Sequence, residues 1–160
     1  MRNPAVALTF DDGPSPSTPR LLELLQQLAI PATFFQVGVN VRRLPDITRT
    51  ISDLGHELAN HTDTHARLWL QSPSAVRLEI ELAQSTILQA AGKAPKWFRA
   101  PYGVRWFGVA AAQRDLKLTG AMWTVIGLDW KLAAPAVADR LIHGAGNGAI
   151  FCLHDGRERL

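Results

Sequence analysis

The chain has 160 residues, of which 47% are hydrophobic and 19% charged, and this balance excludes an intrinsically disordered protein. Seventeen Lys and Arg against fourteen Asp and Glu give a formal net charge of +3, with the basic residues dispersed, which argues against nucleic-acid binding. No apolar stretch approaches the roughly 18 residues of a transmembrane helix, and the apolar run before Asp11 is too short for a signal peptide. We therefore expect a single domain over residues 1–160, intracellular unless an export signal lies outside this chain.

Short apolar runs rich in β-branched and aromatic residues alternate with longer helical patterns along the chain. The prediction, in chain order, is strand 6–10, helix 18–29, strand 32–36, helix 45–54, strand 56–60, helix 74–91, strand 97–100, helix 107–117, strand 119–124, helix 135–143 and strand 149–153. The strand runs are continuously apolar, as in strands covered on both faces. This alternation predicts an α/β protein with a largely parallel sheet, open or closed into a barrel.

The helix predicted at 74–91 has the clearest pattern. Its apolar residues recur at intervals of three and four, which gives one continuous stripe, and Gly92 stands where a C-terminal glycine is favoured. The stripe consists of Val76, Ile80, Ala83, Ile87 and Ala90.

Polar residues of the types used in catalysis follow several of the apolar runs. Because parallel α/β sheets build their sites at the carboxyl ends of strands, these residues are the candidates for a functional site. They are Asp11 and Asp12, His61 and His65, Arg99 to Tyr102, Asp129 and Trp130, and His154 and Asp155.

His61 and His65 are four positions apart, so their imidazoles can converge on one metal ion. Asp11 or Asp12 can supply a third ligand, and a set of two histidines and a carboxylate leaves coordination positions open, as in catalytic sites. One of the two aspartates would bind the metal and the other act as a base, because adjacent side chains on a strand point to opposite faces. Spacing alone does not say which does which. Zinc is the default ion, and two solvated histidines beside a turn-forming Asp-Asp-Gly-Pro are the alternative.

The remaining candidates have ordinary structural explanations as well. Cys152 is the only cysteine, which excludes an internal disulfide, and it is predicted to be a small buried side chain. His154 and the pair Asp129 and Trp130 could be strand-end and core residues. Arg99 requires a partner if buried, because an unpaired guanidinium in the core is costly.

Taken together, these segments resemble the polysaccharide deacetylases of carbohydrate esterase family four, the NodB-like homology domain. Residues 9–14 resemble the family's first motif, 61–65 the second, 99–102 the third, 129–130 the fourth and 153–155 the fifth. All occur in family order across nearly the whole chain, and the ordered set is far more specific than any motif alone.

The resemblance implies a distorted (β/α) barrel and assigns a role to each candidate residue. By similarity, Asp12 joins His61 and His65 on the metal, and Asp11 is the general base. The other implied roles belong to Arg99 (partner of Asp11), His154 (general acid), Asp129 (orienting His154), Tyr102 (oxyanion contact through its backbone N–H), and Trp130 and Leu153 (lining the acetyl-binding groove).

The implied activity is metal-dependent hydrolysis of N-acetyl groups on a glycan such as chitin, a chitooligosaccharide or peptidoglycan, with release of acetate. An O-acetyl xylan esterase with the same site, a carbohydrate-binding pseudoenzyme and a hydrolase of small cyclic amides are the alternatives. The implied cofactor is one divalent ion, zinc first, with cobalt, nickel and manganese as alternatives. The expected partner is an acetylated glycan, and the oligomeric state is not predicted.

Two departures from the family pattern bear on these expectations. Ile126 stands where the family often has an aspartate, which can alter substrate contacts. The chain ends five residues after Asp155, where the family usually continues, so we expect it to lack a C-terminal helix and strand. The resemblance suggests an extracellular or cell-envelope enzyme, and the absence of a signal peptide in this chain keeps the cytoplasm open.

Overall fold

The computed structural model describes residues 5–156; residues 1–4 and 157–160, the ends of the predicted domain, lie outside it. The strands are β1 (Ala7–Asp11), β2 (Thr33–Gln36), β3 (Glu57–Asn60), β4 (Trp97–Phe98), β5 (Thr119–Gly120), β6 (Val125–Ile126) and β7 (Ile150–His154). The helices are α1 (Thr18–Gln27), α2 (Gly38–Arg43), α3 (Pro45–Asp53), α4 (Pro73–Ala91), α5 (Val109–Asp115) and α6 (Ala134–His143), with short 3-10 turns at Leu68–Leu70 and Pro101–Gly103.

All strand pairs are parallel, and the described residues form a seven-stranded sheet in the order β5-β4-β3-β2-β1-β7-β6. The predicted α/β architecture is therefore confirmed. Because every strand runs the same way, the residues that follow β1, β3, β4 and β7 come to one edge of the sheet.

The single strand predicted at 119–124 is wrong. Its first two residues form β5, whereas β6 begins at Val125, one residue past its end, and these two strands lie at opposite edges of the sheet. Ala121 N–H donates to Phe98 O at 2.9 Å on one edge, and Thr124 N–H donates to Ile150 O at 2.9 Å on the other. A continuous apolar run cannot reveal this break, because both halves have strand character.

The short connection between β5 and β6, at opposite edges of the sheet, requires the sheet to curl. Gly120 and Val125 are five residues apart, and such a segment spans at most about 18 Å. In a flat sheet of seven strands the outer strands would be roughly 29 Å apart. The edges must therefore approach each other, and the fold is a curled half-barrel, which confirms the distorted (β/α) barrel expected from the resemblance.

Helix α4 covers the sheet with the predicted apolar stripe, all of which is buried. The Ser72 side chain caps its first turn by accepting from Ala75 N–H at 3.2 Å, and Gly92 ends it with a left-handed φ of 70°. Helix α2 was not predicted, because six residues are too few to show a period. In residues 5–156, none of the helices has the length and apolar character needed to cross a membrane.

Candidate active site

The carboxyl edge of the sheet surrounds a cavity of about 220 Å³. Most of the residues that line it come from the segments singled out in the sequence, and the others are Trp123, Ile126 and Cys152. The lining consists of Asp11, Asp12, His61, His65, Tyr102, Trp123, Ile126, Trp130, Cys152 and His154.

Asp12, His61 and His65 form one cluster of potential metal ligands. Asp12 Oδ1 lies 3.3 Å from His61 Nε2 and 3.1 Å from His65 Nε2. His61 Nδ1 lies 2.8 Å from Arg99 O; since a carbonyl only accepts, Nδ1 must carry the proton. In the neutral ring this leaves the lone pair on Nε2, which is the orientation that metal-binding histidines adopt.

The charges in this cluster also suit a cation. Burial, the largest influence, opposes ionisation of Asp12, but hydrogen bonds from His61 and His65 outweigh it and hold the pKa of Asp12 well below its usual range. Burial likewise disfavours a charged His61, but the negative charges of Asp11 and Asp12 raise the pKa of His61 above its ordinary value. The cluster therefore favours a positive charge between its members, and a divalent cation would fit there.

The loops that carry these ligands bend through left-handed backbone conformations. The φ angles of Asp12, Thr62, His65 and Tyr102 are 73°, 69°, 57° and 60°, values that residues other than glycine rarely adopt. The buried amide of Asn60 supports the turn after β3, since its Oδ1 accepts from Thr62 N–H at 3.0 Å. Such strained positions are concentrated at functional sites.

Asp11 occupies a different environment from Asp12. Arg99 Nη1 lies 2.6 Å from Asp11 Oδ1 and also donates to Thr9 Oγ1 at 2.8 Å. Arg99 is completely buried, and its guanidinium lies 4.0 Å from the centre of the Phe35 ring. One oxygen of Asp11 is thus fixed by Arg99, while Oδ2 remains on the side of Cys152, whose Sγ is 3.4 Å away.

His154 is held by Asp129 through two hydrogen bonds. His154 Nδ1 lies 2.8 Å from Asp129 Oδ1, and the backbone N–H of His154 donates to Oδ2 at 2.7 Å. The Trp130 ring stands perpendicular to the imidazole at 4.7 Å between centres. These contacts fix the ring and leave Nε2 as its reactive nitrogen.

Of the three residues expected to contact the substrate, two line the cavity and one does not. Tyr102 and Trp130 border the cavity. Leu153, expected from the resemblance to line the acetyl groove, packs against the core cluster that contains Phe10 and is not part of the cavity lining.

Cys152 lines the cavity instead, and sequence reasoning missed this position. The signal was available: Cys152 is two residues from His154, so both side chains lie on one face of β7.

A curled parallel sheet with an Asp-His-His cluster, a paired carboxylate and a paired imidazole around one cavity is the arrangement of a metal-dependent hydrolase. The sequence profile of the polysaccharide deacetylase family matches residues 1–121. The chain belongs to this family, the NodB-like carbohydrate esterases, as the resemblance predicted.

Individual relatives agree with this placement. A chitooligosaccharide deacetylase of Bradyrhizobium sp. (strain ANU 289) is 41% identical over 158 residues, covering 95% of this chain and 71% of the relative. A peptidoglycan-N-acetylglucosamine deacetylase of Bacillus cereus is 32% identical over 157 residues, covering 93% of this chain and 55% of the relative. The structure of a family 4 carbohydrate esterase from Streptomyces lividans in complex with acetate superposes with a TM-score of 0.91 at 35% identity, covering 96% of this chain and 80% of that one.

Proposed function

We propose that this chain hydrolyses the N-acetyl groups of a glycan related to chitin or peptidoglycan and releases acetate. The observation that carries the proposal is the separation of roles around one cavity. Asp12 contacts both imidazoles of the ligand cluster, whereas Asp11 is paired with Arg99, and His154 with Asp129. Metal ligands, base and acid are therefore three distinct groups. The relatives act on chitooligosaccharides or on peptidoglycan, by their names, which supports this substrate class.

Asp12, His61 and His65 would hold the metal ion, for which we propose zinc because two imidazoles and a carboxylate are zinc-type ligands. When bound, such an ion would lower the pKa of a water molecule and polarise the acetyl carbonyl. Cobalt, nickel and manganese remain alternatives for the same ligands.

Asp11 is the general base in this proposal. Its carboxylate would accept the proton of the attacking water, and Arg99 would keep it oriented, because the guanidinium fixes Oδ1 and leaves Oδ2 on the cavity side. The backbone N–H of Tyr102, in its left-handed turn, would donate a hydrogen bond to the developing oxyanion.

His154 is the general acid. The departing amine is a poor leaving group until it gains a proton, and His154 would supply this proton from Nε2. Asp129 would hold the ring in position through Nδ1, which keeps Nε2 directed to the departing amine. Trp130, Ile126 and Cys152 offer the acetyl methyl group a largely apolar wall, since all three line the cavity.

The proposed partner is an N-acetylated glycan, and an O-acetylated xylan would undergo the same chemistry. Since these glycans lie in or outside the cell envelope, we propose that the enzyme acts there, with the cytoplasm as the alternative. The presence of a paired base and a paired acid favours an enzyme over a carbohydrate-binding pseudoenzyme.

Acetate release from chitooligosaccharide, peptidoglycan and acetylated xylan, with chelator and after zinc is restored, tests the proposal. Asp11→Asn should lower turnover by about 10²–10⁴-fold while the protein keeps its metal. The matched variant Asp12→Asn should lose both. Loss of metal from Asp11→Asn would reverse the two assignments. Binding of chitooligosaccharide without any acetate release, in zinc-loaded protein, would show a pseudoenzyme.

A further inference from the structure

A second group of potential metal ligands lies in the same cavity, beside the proposed metal site. Asp11, Cys152 and His154 each offer one ligand atom, and these atoms lie within 4.8 Å of one another. None of the three belongs to the Asp12, His61 and His65 cluster, and all three line the cavity. A cation that enters the cavity can therefore reach both groups.

Asp11 and His154 are each already oriented by a partner that contacts one of their two polar side-chain atoms. Arg99 holds Asp11 Oδ1, which leaves Oδ2 for coordination. Asp129 holds His154 Nδ1, which leaves Nε2, and an imidazole supported by a carboxylate is the usual form of a metal-binding histidine. Between them, the Cys152 thiol donates a hydrogen bond to Asp11 Oδ2 at 3.4 Å, so a proton now occupies the place a cation would take.

The chemistry of the three ligands selects the kind of ion. A thiolate, an imidazole and a carboxylate together favour zinc and similar ions, whereas magnesium and calcium require oxygen ligands. Coordination would break the S–H bond of Cys152, release its proton to the buffer and form a bond from sulfur to the ion, with no change of oxidation state.

We propose that Asp11, Cys152 and His154 form a second, inhibitory zinc site inside the substrate cavity. The inhibition rests on the proposed function: an ion held there occupies both the proposed base and the proposed acid, so neither can transfer a proton. Excess zinc would then stop the enzyme that the first zinc ion activates.

Cobalt(II) titration of chelator-treated protein tests the site without requiring turnover. Cys152 is the only cysteine, so a thiolate-to-cobalt absorption band can come from no other residue. We expect the first equivalent of cobalt to bind without the band and the second to bind as the band develops, which gives about two bound ions per chain. Cys152→Ala should bind about one ion and show no band. Saturation of the wild-type protein at about one ion, without the band, would overturn the proposal.

Acetate release at increasing zinc supplies the second measurement. Each variant is normalised to its own rate with one equivalent of zinc, because Cys152 borders the reacting groups. We expect the wild-type rate to fall by at least about tenfold in excess zinc, and the rates of Cys152→Ala and Cys152→Ser to stay within about twofold. Equal inhibition of all three would contradict the inhibitory role. Should no form release acetate, the cobalt band still decides whether the site exists.

Discussion

Asp155, directly after β7, is a buried carboxyl that contacts the end of β1, the loop that follows it and the start of α1. Its Oδ2 accepts from Thr18 Oγ1 at 2.8 Å, and its backbone N–H donates to Asp11 O at 3.1 Å. The loop after β1 packs so tightly on the Asp155 side chain that a Cβ atom on Gly13 would collide with both carboxylate oxygens. Burial, together with the neighbouring aspartates, raises the pKa of Asp155 to about 7.

This residue should make the stability of the metal-free protein depend on pH. Between the ordinary carboxyl pKa of 3.8 and about 7, folded Asp155 keeps a proton that the unfolded chain releases, so its contribution to the free energy of unfolding falls as pH rises. Asp155→Asn should remove a pH dependence of the free energy of unfolding that amounts to at most about 1.4 kcal/mol per pH unit. Urea unfolding of both proteins across this range, in chelator, measures the difference. Parallel pH curves would contradict a raised pKa.

Sequence reasoning brought the candidate residues together more successfully than it separated their proposed roles. The carboxyl ends of apolar runs correctly predicted that Asp11, Asp12, His61 and His65 meet. Which aspartate contacts the imidazoles depends on the left-handed turn at Asp12, and no periodicity encodes a single φ angle. Cys152 is buried, as predicted. Strand alternation could have shown that it also lines the cavity, because it lies two residues before His154 and so on the same face of β7.

Among the elements, α4 shows how local signals fix a helix. Its stripe has the period of an amphipathic helix, and both ends carry capping residues, so the predicted range of 74–91 differs from Pro73–Ala91 by one residue. The pieces that sequence reasoning missed are short or split. Helix α2 has too few residues to show a period, and β5 and β6 have two residues each.

The N-terminal cap of α4 can be tested apart from catalysis. Ser72→Ala removes the acceptor for Ala75 N–H and should lower the free energy of unfolding by about 1 kcal/mol. Acetate release should not change, because Ser72 does not line the cavity. Ser85→Ala, in the middle of the same helix, is the matched control and should change stability by less than about 0.5 kcal/mol. Equal decreases in the free energy of unfolding of both variants would show that the hydrogen bond from Ala75 N–H to Ser72 does not stabilise the helix.

For the molecule as a whole, the proposed metal site joins distant parts of the chain. Asp12 follows β1, whereas His61 and His65 follow β3, and β2 lies between these strands in the sheet. An ion coordinated by all three residues would therefore bind only to the folded chain. The parallel sheet that brings these residues together was predictable from the alternation of strands and helices. The curling of the sheet was not, because it depends on residues 121–124 connecting β5 at one edge of the sheet to β6 at the opposite edge.

Metal binding should consequently stabilise the whole fold. At a free zinc concentration a hundred times the dissociation constant, the gain in unfolding free energy should be about 2.7 kcal/mol. Thermal unfolding with chelator and with zinc measures it, and His61→Ala should lose most of the gain. A melting temperature that does not respond to zinc in the wild-type protein would argue against ligation by these three residues.

The left-handed backbone at Asp12, Thr62, His65 and Tyr102 has a practical consequence for anyone engineering this enzyme. Replacing such residues with glycine would relieve backbone strain, since each strained position costs about 1–3 kcal/mol. Here that route would delete two proposed ligands of the metal. Ala29 and Lys117, whose φ angles are 52° and 56° and which follow α1 and α5, offer the same relief away from the cavity.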